Sequence, residues 1–182
     1  MSRYGLSALV ITALFAVILF LMGQPAICEC SYVKLWHGEI FSPENSQHIA
    51  DWYTFSHVIH GVIFYWILSF LFPKWSVASR FLAAFSVEAG WEIFENTDFI
   101  INRYRETALA LDYYGDSIVN SSGDLFAAAF SFSLAWRLPV WASVSVVIFL
   151  ELAVLHLIRD NLTLNIIMLT HPFEFIQNWQ AG

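Results

Sequence analysis

The fold of this chain is decided by residues 81–101, FLAAFSVEAGWEIFENTDFII, where three glutamates interrupt an apolar helical stretch. Glu88, Glu92 and Glu95 are spaced by four and then three residues, so on a helix they fall within an arc of about 60° and span roughly 10 Å of axis. Ionisable groups are costly inside a membrane and mark functional sites there. We therefore predict one acidic helix face that contacts a common partner.

The composition is that of a membrane protein, because 58% of the 182 residues are hydrophobic and only 13% are charged. In an ordinary soluble domain about 45–50% of the residues are apolar and about a quarter are charged. We predict an all-α fold, a polytopic transmembrane helical bundle of one domain, with about five spans near the ~20 apolar residues that cross a bilayer. The predicted spans are residues 6–22, 55–72, 77–101, 118–136 and 140–158.

The remaining segments are predicted to be outer loops and an interfacial tail. The long connections are residues 23–54 and 102–115, and the first span is interpreted as an uncleaved anchor. Lysines and arginines are balanced between the two faces, so the positive-inside rule does not decide the orientation. The tight turns at 73–76 and 137–139 favour a cytoplasmic N-terminus. The apolar run 162–169 is too short to span and is predicted to be an interfacial or re-entrant helix.

Alternating span directions place nearly all polar residues of the predicted bundle on one side. Histidines open the second span, glutamates close the third, and further polar groups open the fourth and close the fifth. These residues are His57, His60, Glu88, Glu92, Glu95, Asp116, Asn120, Asp124, Glu151, His156, Arg159 and Asp160. We therefore expect a polar cavity that opens at the outer leaflet.

Imidazole and carboxylate groups at helical spacing are suited to a divalent metal such as zinc, iron or manganese. The predicted metal ligands are His57, His60, Glu88 and Glu92. Asp116 and Asp124 are predicted to be further ligands or acid–base groups, supported by Glu95 and Asn120. The same residues could instead act without a metal, with a protonated carboxyl as general acid beside a histidine base.

Structural roles are the alternatives to this site. The histidines could simply hydrogen-bond a carboxylate or a carbonyl. The glutamates could pair with Arg80, Arg103 or Arg105. The small residues 121–123 could serve only to let another helix approach closely.

The first outer loop is rich in polar and aromatic residues and is predicted to cover the cavity. Its Cys28 and Cys30 could form a disulfide, bind a metal as a pair, or remain free thiols. The formal net charge of −7 argues against nucleic acid as a partner. The sequence has no phosphate-binding glycine loop and no Gly-x-Ser-x-Gly motif.

Two family resemblances follow from these motifs. The Asp116-x-x-x-Asn120-x-x-Gly123 pattern, with a histidine-bearing helix before it, resembles the VanZ-like membrane proteins over residues 54–129. A second set of motifs resembles an uncharacterised family of proteobacterial multi-pass proteins over nearly the whole chain. These motifs are GQPAICEC (23–30), VKLWHG (33–38), ENSQHIADWY (44–53) and SHVIHG (56–61). The second resemblance implies a bacterial inner-membrane protein and no particular activity.

Two functional hypotheses result. The first is a metal-dependent hydrolase or transferase that acts on a lipid or lipid-linked envelope substrate entering from the outer leaflet. The second is a non-enzymatic protein, either an accessory subunit of a larger membrane complex or a cation or proton carrier. Transporters usually contain repeated halves, and the sequence shows no such repeat. Membrane lipids are expected partners in both cases.

Overall fold

The computed structural model describes residues 3–107 and 113–181, which form eight α-helices and no β-strand. The all-α prediction is therefore confirmed for this part of the chain. In chain order the helices are α1 (Arg3–Leu21), α2 (Thr54–Leu71), α3 (Val77–Glu95), α4 (Asp98–Thr107), α5 (Ile118–Arg137), α6 (Val140–Ile158), α7 (Leu162–Thr170) and α8 (Glu174–Ala181).

Three of these helices, α1, α2 and α6, are long and apolar enough to cross a membrane. They contain 19, 18 and 19 residues, or about 27–29 Å at 1.5 Å per residue. Helices α3 and α5 have 19 and 20 residues, but they are more polar. The described residues thus contain three candidate spans where the sequence predicts five.

The third predicted span, residues 77–101, is wrong at its C-terminal end, because α3 stops at Glu95 and α4 begins at Asp98. The Asn96 side chain donates to the Glu92 carbonyl at 2.9 Å, and Thr97 Oγ1 donates to the Phe94 carbonyl at 2.6 Å. Such side-chain bonds compete with helical backbone bonds and end the helix. The predicted loop 102–115 therefore starts inside α4, and its residues 108–112 lie outside the described ranges.

Helices α1, α3 and α5 share a hydrophobic core, and α2 packs closely along α5. The core consists of Phe15, Leu19, Phe85, Ala89 and Leu125. The close approach of α2 to α5 depends on a glycine, since a Cβ at Gly61 would overlap the Ala128 carbonyl oxygen and the Ser131 hydroxyl. The histidines of α2 are thereby held against the acidic residues of α3 and α5.

The long loop before α2 packs over the first turns of α5, as its predicted covering role requires. Ser117 N–H donates to the Ser46 carbonyl at 3.0 Å, and Asn120 Nδ2 donates to the His48 carbonyl at 2.7 Å. A Cβ at Gly123 would overlap the Ile49 carbonyl oxygen. The small residue at 123 therefore makes room for the loop backbone. The alternative stated above predicted that another helix would approach there.

The loop contains a disulfide near its start and a polar cluster around one glutamate that joins more distant residues. Cys28 and Cys30 form the disulfide. Glu44 accepts hydrogen bonds from Lys34 Nζ at 2.7 Å and from the Tyr32 hydroxyl at 2.8 Å, and His48 Nε2 lies 3.0 Å from its Oε2. These bonds lower the pKa of Glu44 to about 2.

The loop cluster predicts an acid-sensitive contribution to stability. Because the pKa of Glu44 is lowered from 4.5 to about 2 in the folded protein, the unfolded chain binds its proton first as the pH falls. The stabilisation from Glu44 is therefore complete above about pH 4.5 and is lost as the pH falls to about 2. Melting temperatures of wild type and Glu44→Gln should differ at neutral pH and converge across this window. The exposed Glu39→Gln variant is the control, and a difference that is independent of pH contradicts the assignment.

The predicted short tail helix is present as α7, and Glu151 holds its start. The backbone N–H groups of Leu162 and Thr163 donate to the two Glu151 carboxylate oxygens at 3.1 and 3.2 Å. The first N–H groups of a helix have no intrahelical partner, so this carboxylate satisfies them. Glu151 therefore has a structural role at the end of the bundle.

Candidate functional site

A buried histidine on α2 lies at the centre of the predicted site. His57 Nδ1 is 2.6 Å from Glu88 Oε1 and 3.0 Å from Glu92 Oε1, and its Nε2 is 3.9 Å from Asp124 Oδ2. Glu88 and Glu92 have no exposed surface, and Asp124 is 3% exposed. The structure thus brings three carboxyl groups from two helices around one imidazole.

The second histidine, one turn further along α2, contacts the same glutamate. His60 Nδ1 lies 3.2 Å from Glu88 Oε1, so Glu88 links the two rings. An ionised carboxylate can only accept, which makes Nδ1 the protonated nitrogen of both histidines. In the neutral imidazoles Nε2 then carries the lone pair. A carboxylate that orients an imidazole in this way is the usual support of a metal-ligating histidine.

Several buried carboxylate oxygens of the site have no hydrogen-bond partner among the described residues. They are Glu88 Oε2, Glu92 Oε1 and Oε2, Glu95 Oε2 and Asp124 Oδ1. Glu92 Oε1 lies near His57 Nδ1, but the geometry is not that of a hydrogen bond. Unsatisfied buried acceptors are rare in proteins and costly. The site therefore has an excess of negative, acceptor groups.

Two overlapping groups of side chains are close enough together to hold a metal ion. In the first, one ligand atom from each of His57, His60 and Glu88 lies within 4.8 Å of the others, and in the second the same holds for His57, Glu92 and Glu95. All four predicted metal ligands and Glu95 thus occur in these groups. His57 is common to both, which makes it the central residue of any ion bound here.

A cavity of about 70 Å³ lies beside His57 and contains the other predicted catalytic residues. Its lining includes Glu95, Asp116, Asn120 and Asp124, together with residues of the loop, α4 and the C-terminal helices. The Asn120 amide is already used, because it donates to the loop carbonyl of His48. Asp116 and Asp124 present carboxyl groups to the cavity.

Three tyrosines donate their hydroxyl groups to carboxyl groups of the cavity. Tyr104 donates to Glu95 at 2.6 Å, Tyr113 to Asp116 at 2.9 Å, and Tyr53 to Asp160 at 3.3 Å. Burial, followed by the neighbouring carboxylates, raises the pKa of each tyrosine well above its usual value. Burial also raises the pKa of Asp116 well above its usual value and that of Asp160 to about 6. The tyrosines therefore remain protonated donors at neutral pH.

The arginine alternative is not what the described residues show. The ion pairs of Glu88 and Glu92 are with histidines. Arg103 Nε donates to the Leu169 carbonyl and Arg105 Nε to the Tyr113 carbonyl. Both histidines hydrogen-bond the Glu88 carboxylate. These contacts fit a purely structural role of the histidines as well as the proposed site.

The sequence interpretation missed the three tyrosines and Asn96. Asn96 joins α3 to the start of α5, since its Nδ2 donates to Asp116 Oδ2 at 3.1 Å and its Oδ1 accepts from the Asp116 N–H at 2.7 Å. The run Asn96-Thr97-Asp98 carries helix-terminating and helix-starting residue types. That signal could have predicted the helix break between Glu95 and Asp98, after which Tyr104 contacts Glu95.

The fold and the site define an all-helical protein with three apolar helices compatible with membrane association and a buried histidine–carboxylate cluster. A family described as "Protein of unknown function (DUF2585)" matches residues 19–182, and the chain belongs to this family. A UPF0314 protein of Brucella anthropi is 51% identical over 99% of this chain and 93% of its own length. Relatives of the same name from Paracoccus denitrificans and Sphingopyxis alaskensis are 52% and 47% identical. The aligned regions cover 94% and 100% of this chain, and they cover 89% and 97% of the lengths of the two relatives.

These comparisons confirm the resemblance to an uncharacterised proteobacterial family. The resemblance to VanZ-like proteins receives no support from them. No solved structure matches the chain.

Proposed function

We propose that this protein is a metal-dependent hydrolase or transferase of the bacterial inner membrane, acting on a lipid or lipid-linked envelope substrate. The observation that carries the proposal is the set of unpartnered, buried carboxylate oxygens around His57. A divalent cation would satisfy several of them at once. When bound, such an ion polarises a substrate oxygen or activates water.

In this proposal all five long helices cross the membrane. The polar residues of α3 and α5 support it, because Glu88, Glu92 and Asp124 are buried within the protein and would not contact lipid. Charged groups in membrane helices usually face the bundle interior in this way. The multi-pass arrangement then places the loop before α2 and the cavity on the same face.

The disulfide favours the periplasm as the compartment of that face. Cys28 and Cys30 belong to the loop that packs over the cavity. Disulfides persist in oxidising compartments and are rare in the bacterial cytosol. The N-terminus is then cytoplasmic, in agreement with the orientation favoured by the sequence.

The proposed ligands are His57, Glu92 and Glu95, with Asp124 as a fourth. The first three form one of the two compact groups described above, and Asp124 faces His57 Nε2. One imidazole with several carboxylates suits zinc, iron or manganese. Glu88 and His60 then act as the support that fixes the ring of His57, although both were predicted to be ligands. Asp116, which lines the same cavity, is proposed to transfer protons.

A second candidate function is the transfer of protons or cations without enzymatic catalysis. The hydrogen bonds that link His57, Glu88 and His60 favour it. Glu88 Oε1 lies within 3.2 Å of an Nδ1 atom of each ring. Such a connected set could pass a proton between the rings. A protein that binds no metal and shows proton uptake dependent on Glu88 would favour this candidate.

Metal analysis of the detergent-purified protein tests the leading proposal. After exposure to zinc, manganese or iron and removal of free ion, wild type should retain about one equivalent of one metal. Glu92→Gln should lose most of it and remain folded or become more stable, because the single imidazole of His57 faces three buried carboxyl groups and the change removes the charge of one of them. Glu39→Gln, an exposed change, should retain the metal.

The opposite result has two parts. A wild-type protein that never holds metal, together with a Glu92→Gln variant destabilised by roughly 3 kcal/mol or more as for a broken buried pair, would overturn the proposal. Glu92 would then be one half of a structural ion pair with His57.

A further inference from the structure

The cavity beside His57 carries an unusual excess of hydrogen-bond acceptors. Four carboxyl groups line it, those of Glu95, Asp116, Asp124 and Asp160. No lysine or arginine is found among the lining residues of the described chain. A phosphate or carboxylate group would find no lysine or arginine there, and the imidazole of His57 in the lining already faces Glu88, Glu92 and Asp124.

Five donors of the cavity wall are already in use. The three tyrosine hydroxyls donate to carboxyl groups. The side-chain amide of Gln180 donates to Asp160 at 3.1 Å, and that of Asn120 donates to the loop. An anion, whose oxygens accept hydrogen bonds and need donors from the protein, is therefore not expected to bind well here.

Besides Glu95 Oε2, which belongs to a proposed metal ligand, unpartnered acceptors remain on two other elements of the cavity wall. Asp124, 3% exposed on α5, has an unpaired Oδ1, and Asn45 of the loop has an unpaired Oδ1. The other Asp124 oxygen, Oδ2, is the one that faces His57. A metal ion beside His57 could use Oδ2 and would leave the two unpaired oxygens to another ligand.

The wall also has an apolar part and aromatic rings. Ile40, Phe41 and Ile158 line the cavity, and Phe41 is 66% exposed, so this part reaches the protein surface. The rings of Tyr104 and Tyr113 pack edge to face with centroids 5.5 Å apart. Aromatic rings together with carboxylates are the groups that proteins use to bind ammonium cations.

We propose that the cavity binds the protonated primary amine of an amphiphile, with N–H donors directed to Asp124 and Asn45 and the alkyl part along Ile40, Phe41 and Ile158. This inference rests on the proposed function, since it names the substrate class of the same cavity. A sugar head group gains no charge attraction here. A quaternary ammonium group has no N–H to donate.

Binding of four octyl compounds to the full chain in phosphatidylcholine nanodiscs tests the inference. The probes are octylammonium, octyltrimethylammonium, octyl phosphate and octyl glucoside, and the readout is the melting temperature as a function of probe concentration. Octylammonium should raise the melting temperature at the lowest concentration. Equal or stronger effects of any of the other three probes would overturn the proposal.

Variants separate binding in the cavity from partitioning into the bilayer. Asn45→Ala and Asp124→Asn should each raise the half-saturating octylammonium concentration by about tenfold, as expected for a lost hydrogen bond to a charged group. Glu39→Gln, an exposed change in the same loop, should not. An octylammonium response that is the same in all four proteins would overturn the inference.

Metal content measured on the same samples keeps the two proposals apart. Asn45→Ala should retain the metal of wild type, because Asn45 is not a proposed ligand. Metal binding without preference for octylammonium overturns this inference alone. Preference for octylammonium in a protein that holds no metal overturns the metal proposal and supports the head-group assignment.

Discussion

Gly123→Ala is expected to destabilise the protein by about 3 kcal/mol, the upper part of the range for overpacking a close contact. The added Cβ would overlap the Ile49 carbonyl oxygen, which is backbone and cannot rotate away. The loop is also fixed to α5 by hydrogen bonds at Ser117 and Asn120. Relief of the overlap must therefore break some of these bonds. Chemical unfolding in detergent measures the loss, and limited proteolysis of residues 39–47 should become faster.

Gly90→Ala is the matched control, since it makes the same change on the neighbouring helix. A Cβ at Gly90 meets no heavy atom within 4 Å, and alanine is favoured over glycine in a helix by about 1 kcal/mol. This variant should be as stable as wild type or slightly more stable. Equal destabilisation by the two changes would show that the loop does not pack on Gly123.

The helical fold and the long apolar helices could be predicted because they depend on composition and on runs of apolar residues. Helices α2, α5 and α6 follow the predicted spans within a residue or two. The end of α3 was predicted wrongly, because hydropathy continues through Phe99, Ile100 and Ile101 while the local hydrogen bonds of Asn96 and Thr97 stop the helix. A run of apolar residues predicts that a segment is buried, but it does not predict where side-chain hydrogen bonds end the helix.

The convergence of the site could also be predicted, because helical spacing fixes which side chains share a face, and alternating helix direction fixes which helix ends lie together. His57, Glu88, Glu92 and Asp124 meet as those rules require. The roles within the cluster could not be predicted. Whether Glu88 is a metal ligand or the group that orients two imidazoles depends on which nitrogen faces which oxygen, and spacing does not determine this.

The tyrosine partners of the cavity illustrate a different limit. Tyr104 on α4 donates to Glu95 at the end of α3, nine residues earlier, across the break between the two helices. Tyr53 reaches Asp160 across 107 residues. Contacts of this kind depend on tertiary packing, and a single sequence contains no local pattern for them.

His57→Leu is expected to cost about 3–5 kcal/mol, as when one partner of a buried ion pair is removed, and to abolish metal binding. His57 is the ion-pair partner of Glu88 and Glu92 and faces Asp124, so its loss leaves several buried carboxyl groups uncompensated. His60→Leu should have a smaller effect, because among the described residues its one carboxylate partner is Glu88, at 3.2 Å, and its side chain is 16% exposed against 7% for His57. Chemical unfolding and metal analysis of both variants measure the contrast.

A double-mutant cycle then shows whether the loss comes from the carboxylates. If His57→Leu is harmful because Glu92 remains buried and ionised, the addition of Glu92→Gln should restore part of the lost stability. The coupling free energy should be on the order of 1–3 kcal/mol, as for residues in direct contact. Simple additivity would mean that the loss comes from packing of the imidazole, and that Glu92 carries no charge which His57 compensates. The histidine–carboxylate cluster is an electrostatic unit only if the two changes couple.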